Sequence, residues 1–393
     1  MVSKSAGGFD FSAIAARAAE VDATGVIPEE SWAELASSGY LRLFHPEEIG
    51  GANADGPTQA AAMEQLAAAC PSTFWSTTVS GLLCAKLIST YGDVATHERL
   101  LRPIVSGEKV VAFGVVERAS GSDAGTYRTT VRPDGDGFAL RGEKARITNA
   151  PNADLAVVLA RRADADGRVG DGWCLAFVDL HQPGVERDSL PHMGLRGMPW
   201  GVLKFDDARV SAENVVPVPF DMLSEGMAWG WLLIGISSVA IAETAVRASA
   251  EHALSRESFG RPLAHMEGVH AQLADSLADV QAARLLAVRA MTERAQGRSA
   301  KHLIGALKAY ATEMAVDVVT RAVQIHGAFG VTAGHPVERM YRDAQMNVIG
   351  GFATNRLREQ MAENLGLGPA AHADFDWVGH LKLDPVPLDG APA

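Results

Sequence analysis

Hydrophobic and polar positions change rhythm twice along the 393 residues. Through the first 110, apolar residues recur at helical spacing between short polar or glycine breaks. Ile27-Pro28-Glu29-Glu30 reads as a helix start, because proline suits the first turn and acids complement a helix N-terminus. Trp32, Leu35, Gly39 and Tyr40 follow it, Pro46 and Gly50-Gly51 mark a loop, and Met63, Leu66 and Ala69 resume the helical pattern. From Val110, short runs of Val, Phe, Leu and Ile alternate with turn residues. Asp134-Gly135-Asp136-Gly137 ahead of Phe138-Ala139-Leu140 is a hairpin signal, and Ala156-Val157-Val158-Leu159 and Leu203-Lys204-Phe205 read as further strands. After Phe220 the helical period returns. Val269, Leu273, Leu277 and Val280 form one apolar stripe, and Leu303, Leu307, Met314 and Val318 suggest another bundle helix. The pattern predicts a helical domain at 1–110, a β domain at 111–219, a helical bundle at 220–368 and a loosely ordered, proline-bearing tail at 369–393.

Composition narrows the function classes. Apolar residues at 47% and charged residues at 21% fit a globular chain rather than a disordered one. Few aromatics (6%) beside 39 glycines favour closely packed helices. A formal net charge of −12 with no basic run argues against a nucleic-acid or anionic-membrane surface, since both need clustered Lys and Arg. Cys70, Cys84 and Cys174 form no CxxC pair, so neither a disulfide framework, a zinc site nor any other metal site is expected, and a reducing cytoplasm fits best. The start MVSKSAGGFDFS lacks a signal peptide's apolar core. The longest apolar stretch, 229–246, carries Ser237, Ser238 and Glu243 and reads as a buried helix rather than a membrane span.

Five segments then resemble, in order, the acyl-CoA dehydrogenase family. The run from Ala112 to Asp123 contains Glu117, Gly121-Ser122-Asp123 and looks like the family's T-E-P-x-x-G-S-D loop. Leu140-Arg141-Gly142-Glu143-Lys144-Ala145-Arg146-Ile147-Thr148-Asn149 is similar to L-N-G-x-K-x-W-I-T-N. Met193-Gly194-Leu195-Arg196-Gly197 precedes Phe205-Asp206-Asp207-Ala208-Arg209-Val210, and Arg256-Glu257-Ser258-Phe259-Gly260-Arg261-Pro262 matches R-x-x-F-G-x-P. Last come Gln324-Ile325-His326-Gly327, Pro336-Val337-Glu338-Arg339 and Tyr341-Arg342-Asp343-Ala344. The resemblance implies an α+β, mostly α fold: an N-terminal helical domain, a middle β domain and a C-terminal four-helix bundle. It also implies FAD. The 113–122 loop, through Phe113, Val115, Val116 and Ser122, would reach the isoalloxazine edge, with Arg146 and Thr148 beside the reactive ring. Arg256 offers forked donors to pyrophosphate, Phe259 an apolar face and Gln324 both a donor and an acceptor. Gly327, Thr354 and Asn355 complete the cofactor set. In the family the Arg256 and Gln324 positions reach FAD held by a neighbouring subunit, which implies a homotetramer, with a dimer as the fallback. Taken alone, Arg256 is a solvated helix face and Gln324 a surface amide, and His326 reads as a packing residue.

The substrate side departs from that pattern. The family takes the α proton of a thioester with a carboxylate in an I-Y-E-G-T segment. Counting from Arg342-Asp343-Ala344 puts Gly351 at that place, and counting back from Arg256 puts Gly230 where a subset of the family carries its base. The D-x-x-R substrate segment becomes Ala228-Trp229-Gly230-Trp231, the flavin-side tryptophan becomes Arg146, the loop threonine becomes Val116, and T-S-Q becomes Ala353-Thr354-Asn355. Ser122, Trp229, Trp231, Gly351 and Phe352 are the candidate substrate contacts, and no catalytic residue is assigned. Three readings follow: a divergent dehydrogenase or oxidase of an acyl thioester (on coenzyme A or a carrier protein) or a related small molecule; a flavin-dependent monooxygenase on the same fold, working with a reductase partner; and a flavin-binding protein without turnover. The intact R-x-x-F-G and R-D-A motifs put the first ahead.

Overall fold

The computed structural model describes residues 8–364 and Leu367, with Asp221 excepted. The tail expected beyond Gly368 lies outside the described residues.

The first domain is helical: α1 (Ser12–Thr24), α2 (Glu29–Ser38), α3 (Gly56–Ala69), α4 (Pro71–Thr78), α5 (Ala85–Tyr91), α6 (Val94–Thr96) and α7 (Arg102–Val105). Wide π turns at Val79–Cys84 and His97–Leu101 join the later pieces. Pro28 sits at the N-cap of α2 with Glu29 and Glu30 in its first turn, and Gly39 ends it in the left-handed region. The sequence anticipated the start, whereas Gly39 and Tyr40, read as continuing the helical spacing, lie beyond its end.

Eight strands build one mixed sheet: β1 (Val111–Gly114), β2 (Thr130–Asp134), β3 (Gly137–Thr148), β4 (Leu155–Ala163), β5 (Val169–Asp179), β6 (Val185–Ser189), β7 (Trp200–Ser211) and β8 (Val215–Val218). Their order is β6-β7-β3-β2-β4-β5-β8, and β1 and β2 share one edge of β4, both running parallel to it. The Asp-Gly signal is the β2–β3 hairpin, closed by an Asp134–Gly137 pair with Gly135 at φ +62°.

The third domain contains α8 (Met222–Ser255), α9 (Glu267–Ala295), α10 (Lys301–His326), α11 (Pro336–Ile349) and α12 (Thr354–Asn364), with a short β9–β10 hairpin (Glu257–Ser258 and Arg261–Pro262) after α8. Helices α8 and α10 run parallel. Lys301 Nζ donates to Ser224 Oγ near their starts, and the His252 and His326 rings stack 4.4 Å apart near their ends. A Cβ on Gly235 would lie 2.6 Å from Leu307, so glycine lets these two axes close up. Helix α8 is long and apolar enough to cross a membrane, yet 83% of its most apolar window is buried inside the fold, as expected for a core helix.

One stripe is corrected. Of the four residues Val269, Leu273, Leu277 and Val280, only Val280 is buried, and Leu277 is 46% exposed. The buried face of α9 is instead Ser276, Val280, Ala283, Ala287, Ala290 and Met291. Small residues face the core there because α8 and α10 approach closely, and the bulkier stripe lies outside the protomer's core.

Candidate active site where the three domains meet

The domains enclose a cavity of about 860 Å³. The first domain lines it with Trp75, Val79 and Leu83, and α8 with Met227, Gly230, Leu233 and Ile234. Residues 345, 346 and 348–355 close one side, and Phe113, Val115, Val116, Ser122, Arg146, Ile147 and Thr148 of the middle domain another.

A buried charge cluster shapes the middle-domain wall. Glu117 accepts from the Arg128 and Thr129 amides at 2.7 and 2.8 Å, from Thr129 Oγ1 at 2.7 Å and from Lys144 Nζ at 3.0 Å. Lys144 is fully buried, also donates to the Val115 carbonyl at 2.9 Å and lies over the Tyr127 ring. Burial pulls Lys144 down to about 8, against the pull of Glu117. Burial opposes ionisation of Glu117, but Lys144 and the donors around it outweigh that and hold its carboxyl below the usual range. The cluster fixes the segment after β1 against β3, where the Ala145 amide donates to the Val116 carbonyl at 2.9 Å.

Two left-handed residues end β3. The β3–β7 register slips between Ala145 and Ile147, and Arg146 is the extra residue, at φ +62°. A bulge re-aims a side chain, and here the arginine points away from the sheet as an exposed group on the cavity rim. Asn149, at φ +67°, donates to the Ser76 and Val111 carbonyls at 2.9 and 3.0 Å, tying the β3 end to α4. Between them the Thr148 hydroxyl donates, among the described residues, only to the Met198 sulfur at 3.5 Å, which leaves its oxygen free to accept.

The opposite wall is stapled from three directions. Lys308 reaches it from α10, Trp231 Nε1 donates to the Gly351 carbonyl at 2.5 Å, and the Ala353 amide donates to Ser122 Oγ at 3.2 Å. Gly351 and Phe352 both take positive φ, +65° and +77°.

Ten of the residues predicted from sequence thus share one cavity: Phe113, Val115, Val116, Ser122, Arg146, Thr148, Gly351, Phe352, Thr354 and Asn355. Arg256, Phe259, Gln324 and Gly327 do not. They are exposed near the far ends of α8 and α10, Phe259 at 94%. From Ile234 in the cavity to Ser255 is roughly 30 Å of helix, so one protomer cannot bring both sets to one ligand. His326 is buried and donates Nδ1–H to the Ala322 carbonyl at 2.8 Å, consistent with packing. The two tryptophans are corrected. Trp229 does not line the cavity; its ring is flanked by Arg294 at 4.5 Å and Lys86 at 5.7 Å. Trp231 lines a neighbouring pocket of about 530 Å³ and touches the cavity only through the Gly351 backbone it holds. Consecutive residues on a helix point about 100° apart, so it is the flanking Met227 and Gly230 that face inward.

The lining also includes residues that sequence reasoning passed over: Trp75, Met193, Leu195, Met198 and Trp200. Met193-Gly194-Leu195 was visible as a motif, and the reason for its glycine is now clear. A Cβ on Gly194 would lie 2.1 Å from the Arg342 carbonyl. Asp343 accepts from the Leu195 amide at 2.5 Å, and Arg342 forks onto Asp22 at 2.6 and 3.0 Å and donates to the Met193 carbonyl. The Arg-Asp-Ala motif therefore joins α1, α11 and the 193–197 turn. It is a scaffold feature and does not choose among the three readings.

Sequence profiles of the acyl-CoA dehydrogenase N-terminal, middle and C-terminal domains match residues 1–108, 112–208 and 220–366. The chain belongs to the acyl-CoA dehydrogenase family. A probable acyl-CoA dehydrogenase of Bacillus subtilis is 31% identical over 359 residues, covering 90% of this chain and 93% of the relative. The human mitochondrial short-chain specific acyl-CoA dehydrogenase is 32% identical over 340 residues, 84% of this chain and 81% of that protein. The solved butyryl-CoA dehydrogenase of Megasphaera elsdenii superposes with a TM-score of 0.86 at 28% identity, covering 91% of this chain and 95% of that one. The expected fold and enzyme class are borne out: the protein is an oxidoreductase of a family whose members use FAD and act on acyl-CoA compounds.

Proposed function

We propose that the protein binds FAD in the 860 Å³ cavity and oxidises an acyl thioester, carried on coenzyme A or a carrier protein, or a related small molecule, without a carboxylate at either of the family's base positions. The observation that carries this reading is the cavity lining. Among the described residues its one carboxylate is Glu313, which is bound by Arg358 at 2.5 Å, and its one cation is Arg146. The residues present suit the cofactor. Thr148 keeps an unused acceptor, Arg146 has room at a bulge, and the remaining wall is largely apolar, as a flat ring system requires. FAD, when bound, supplies the hydride acceptor. Val115, Val116 and Ser122 would hold its edge, Thr148 would hydrogen-bond to it, and Thr354 and Asn355 would meet its distal part. Arg256, Phe259, Gln324 and Gly327 would serve the site of a second copy, because of the roughly 30 Å that separates them from their own cavity. A homotetramer is the assembly we propose, and a cytoplasmic location accords with three buried free cysteines.

The same lining favours one second reading, a monooxygenase supplied by a reductase, whose chemistry needs no α-proton acceptor. Anaerobic mixing separates the two: bleaching of bound flavin by substrate supports the first, and dependence on added reductase and oxygen supports the second. The cofactor claim is tested by the purified protein, which should be yellow and release FAD on denaturation, from a particle with the mass of four chains. A colourless protein that takes up no FAD, or a preference for FMN, would overturn the cofactor claim, and a stable FAD-loaded monomer would overturn the shared assembly.

A further inference from the structure

Lys308 sits in the N-terminal third of α10, on the face that carries Ile304, Leu307, Ala311 and Ala315, and is fully buried. Its ammonium has three N–H donors, and all three have acceptors: the Val348 carbonyl at 2.9 Å, the Thr354 hydroxyl at 3.0 Å and the Phe352 carbonyl at 3.2 Å. These acceptors bracket the stretch 348–354, every residue of which lines the cavity. We propose that Lys308 is the positioning residue of this wall, folding 348–354 around its ammonium and thereby setting the shape of the substrate side of the cavity.

The wall does not set its own shape. It turns through two consecutive left-handed residues, and the second is Phe352, for which that region is sterically unfavourable. Among the described residues, the backbone acceptors at 348 and 352 go to Lys308 and that at 351 to Trp231, while the one side-chain contact from the middle domain is Ser122 to the Ala353 amide. A buried carbonyl without a donor seeks water. Without the ammonium, the carbonyls at 348 and 352 would turn outward and carry Phe352, which separates the 860 Å³ cavity from the 530 Å³ pocket, with them. The charge does not contact the cavity, so Lys308 acts through the wall.

The test is Lys308→Met, which keeps a long unbranched chain and removes every donor. Removing the donor leaves the Val348, Phe352 and Thr354 acceptors unpaired and costs stability whether Lys308 packs or positions, so local exchange rather than global stability separates the two. Hydrogen exchange is followed at the Gly350, Ala353, Arg356 and Leu357 amides, with α8 and α10 as internal references. We expect exchange of the wall to accelerate at least tenfold and to outrun any acceleration in α8 and α10, with the urea midpoint falling. Lys308→Arg, which restores donors, should recover part of the protection. Wall exchange equal to wild type, or acceleration shared equally by α8 and α10, would overturn the proposal. If Lys308→Met does not fold, Lys308→Arg and Lys308→Gln decide it by the same readout: the charged arginine should protect the wall better than glutamine, and equal protection in the two would refute it. Exchange reads the wall itself, whatever occupies the cavity.

Discussion

Both glycines at the family's base positions face the cavity, yet they differ in what a side chain would meet. At Gly351 the backbone is left-handed, which costs an ordinary residue about 1–2 kcal/mol. Its Cβ would lie 2.7 Å from Ile234 Cδ1 and 3.0 Å from Trp231 Cδ1. Overpacking of that kind adds about 1–3 kcal/mol. Gly351→Ala should therefore lose roughly 2–5 kcal/mol of stability. At Gly230 a Cβ meets only Leu83 Cδ1 at 3.4 Å, an ordinary contact. There Gly→Ala in a helix interior gains up to about 1 kcal/mol. Urea unfolding of the FAD-loaded protein measures both. The same geometry governs gain of function: Gly230→Glu introduces a proton acceptor from a rigid helix, whereas Gly351→Glu first has to displace Trp231 and the wall it holds. Weak α,β-dehydrogenation of acyl-CoA is expected from Gly230→Glu and not from Gly351→Glu. A Gly351→Ala protein as stable as wild type, or a folded and active Gly351→Glu enzyme, would refute this account of the wall.

Two further predictions concern the cofactor and the scaffold. Removing the guanidinium in Arg256→Ala should weaken FAD binding by about 1.5–3 kcal/mol, with Arg256→Lys restoring only part because an ammonium lacks the fork, and unchanged affinity in both, measured by fluorescence titration of apoprotein, would make Arg256 a surface residue. Burial raises the Asp343 carboxyl to about 6. The folded protein then holds that proton more tightly than the unfolded chain, so stability from this group is greatest below about pH 4, declines as pH rises toward 6 and stays at the lower level above it. Asp343→Asn should remove that slope from urea midpoints taken between pH 4 and 7, and an unchanged slope would contradict the assignment.

Much of this was legible in the chain. Periodicity found the three domains' texture, the Pro28 start and the β2–β3 turn, because helix, strand and hairpin rules act locally. Motif order found ten of the cavity residues, and counting from the motifs led to Gly230 and Gly351, both of which line the cavity. What was lost depends on facing. Trp229 and Trp231 sit in the right segment, but a helix turns them off the cavity and leaves Gly230 looking in. Leu277 belongs to a good stripe that the close approach of α8 and α10 leaves outside the core. Lys308 gave a weak signal, one charge on an apolar helical face, and its meaning came only from the carbonyls 40 and more residues away. Bulge geometry at Arg146 has no sequence signature at all.

The central claim is that the fold has kept the cofactor cavity and lost the family's proton acceptor. The most direct test is single-turnover reduction of the bound flavin by a panel of saturated acyl-CoAs, mixed anaerobically and followed by loss of the flavin absorbance. A positioned acid–base group contributes about 10²–10⁴ in rate, so wild type should bleach slower than its Gly230→Glu variant by a factor of that order, or not at all. Rapid bleaching of the wild-type flavin by any member of the panel would contradict the account and point first to Glu313, the carboxylate that lines the cavity beside Arg358.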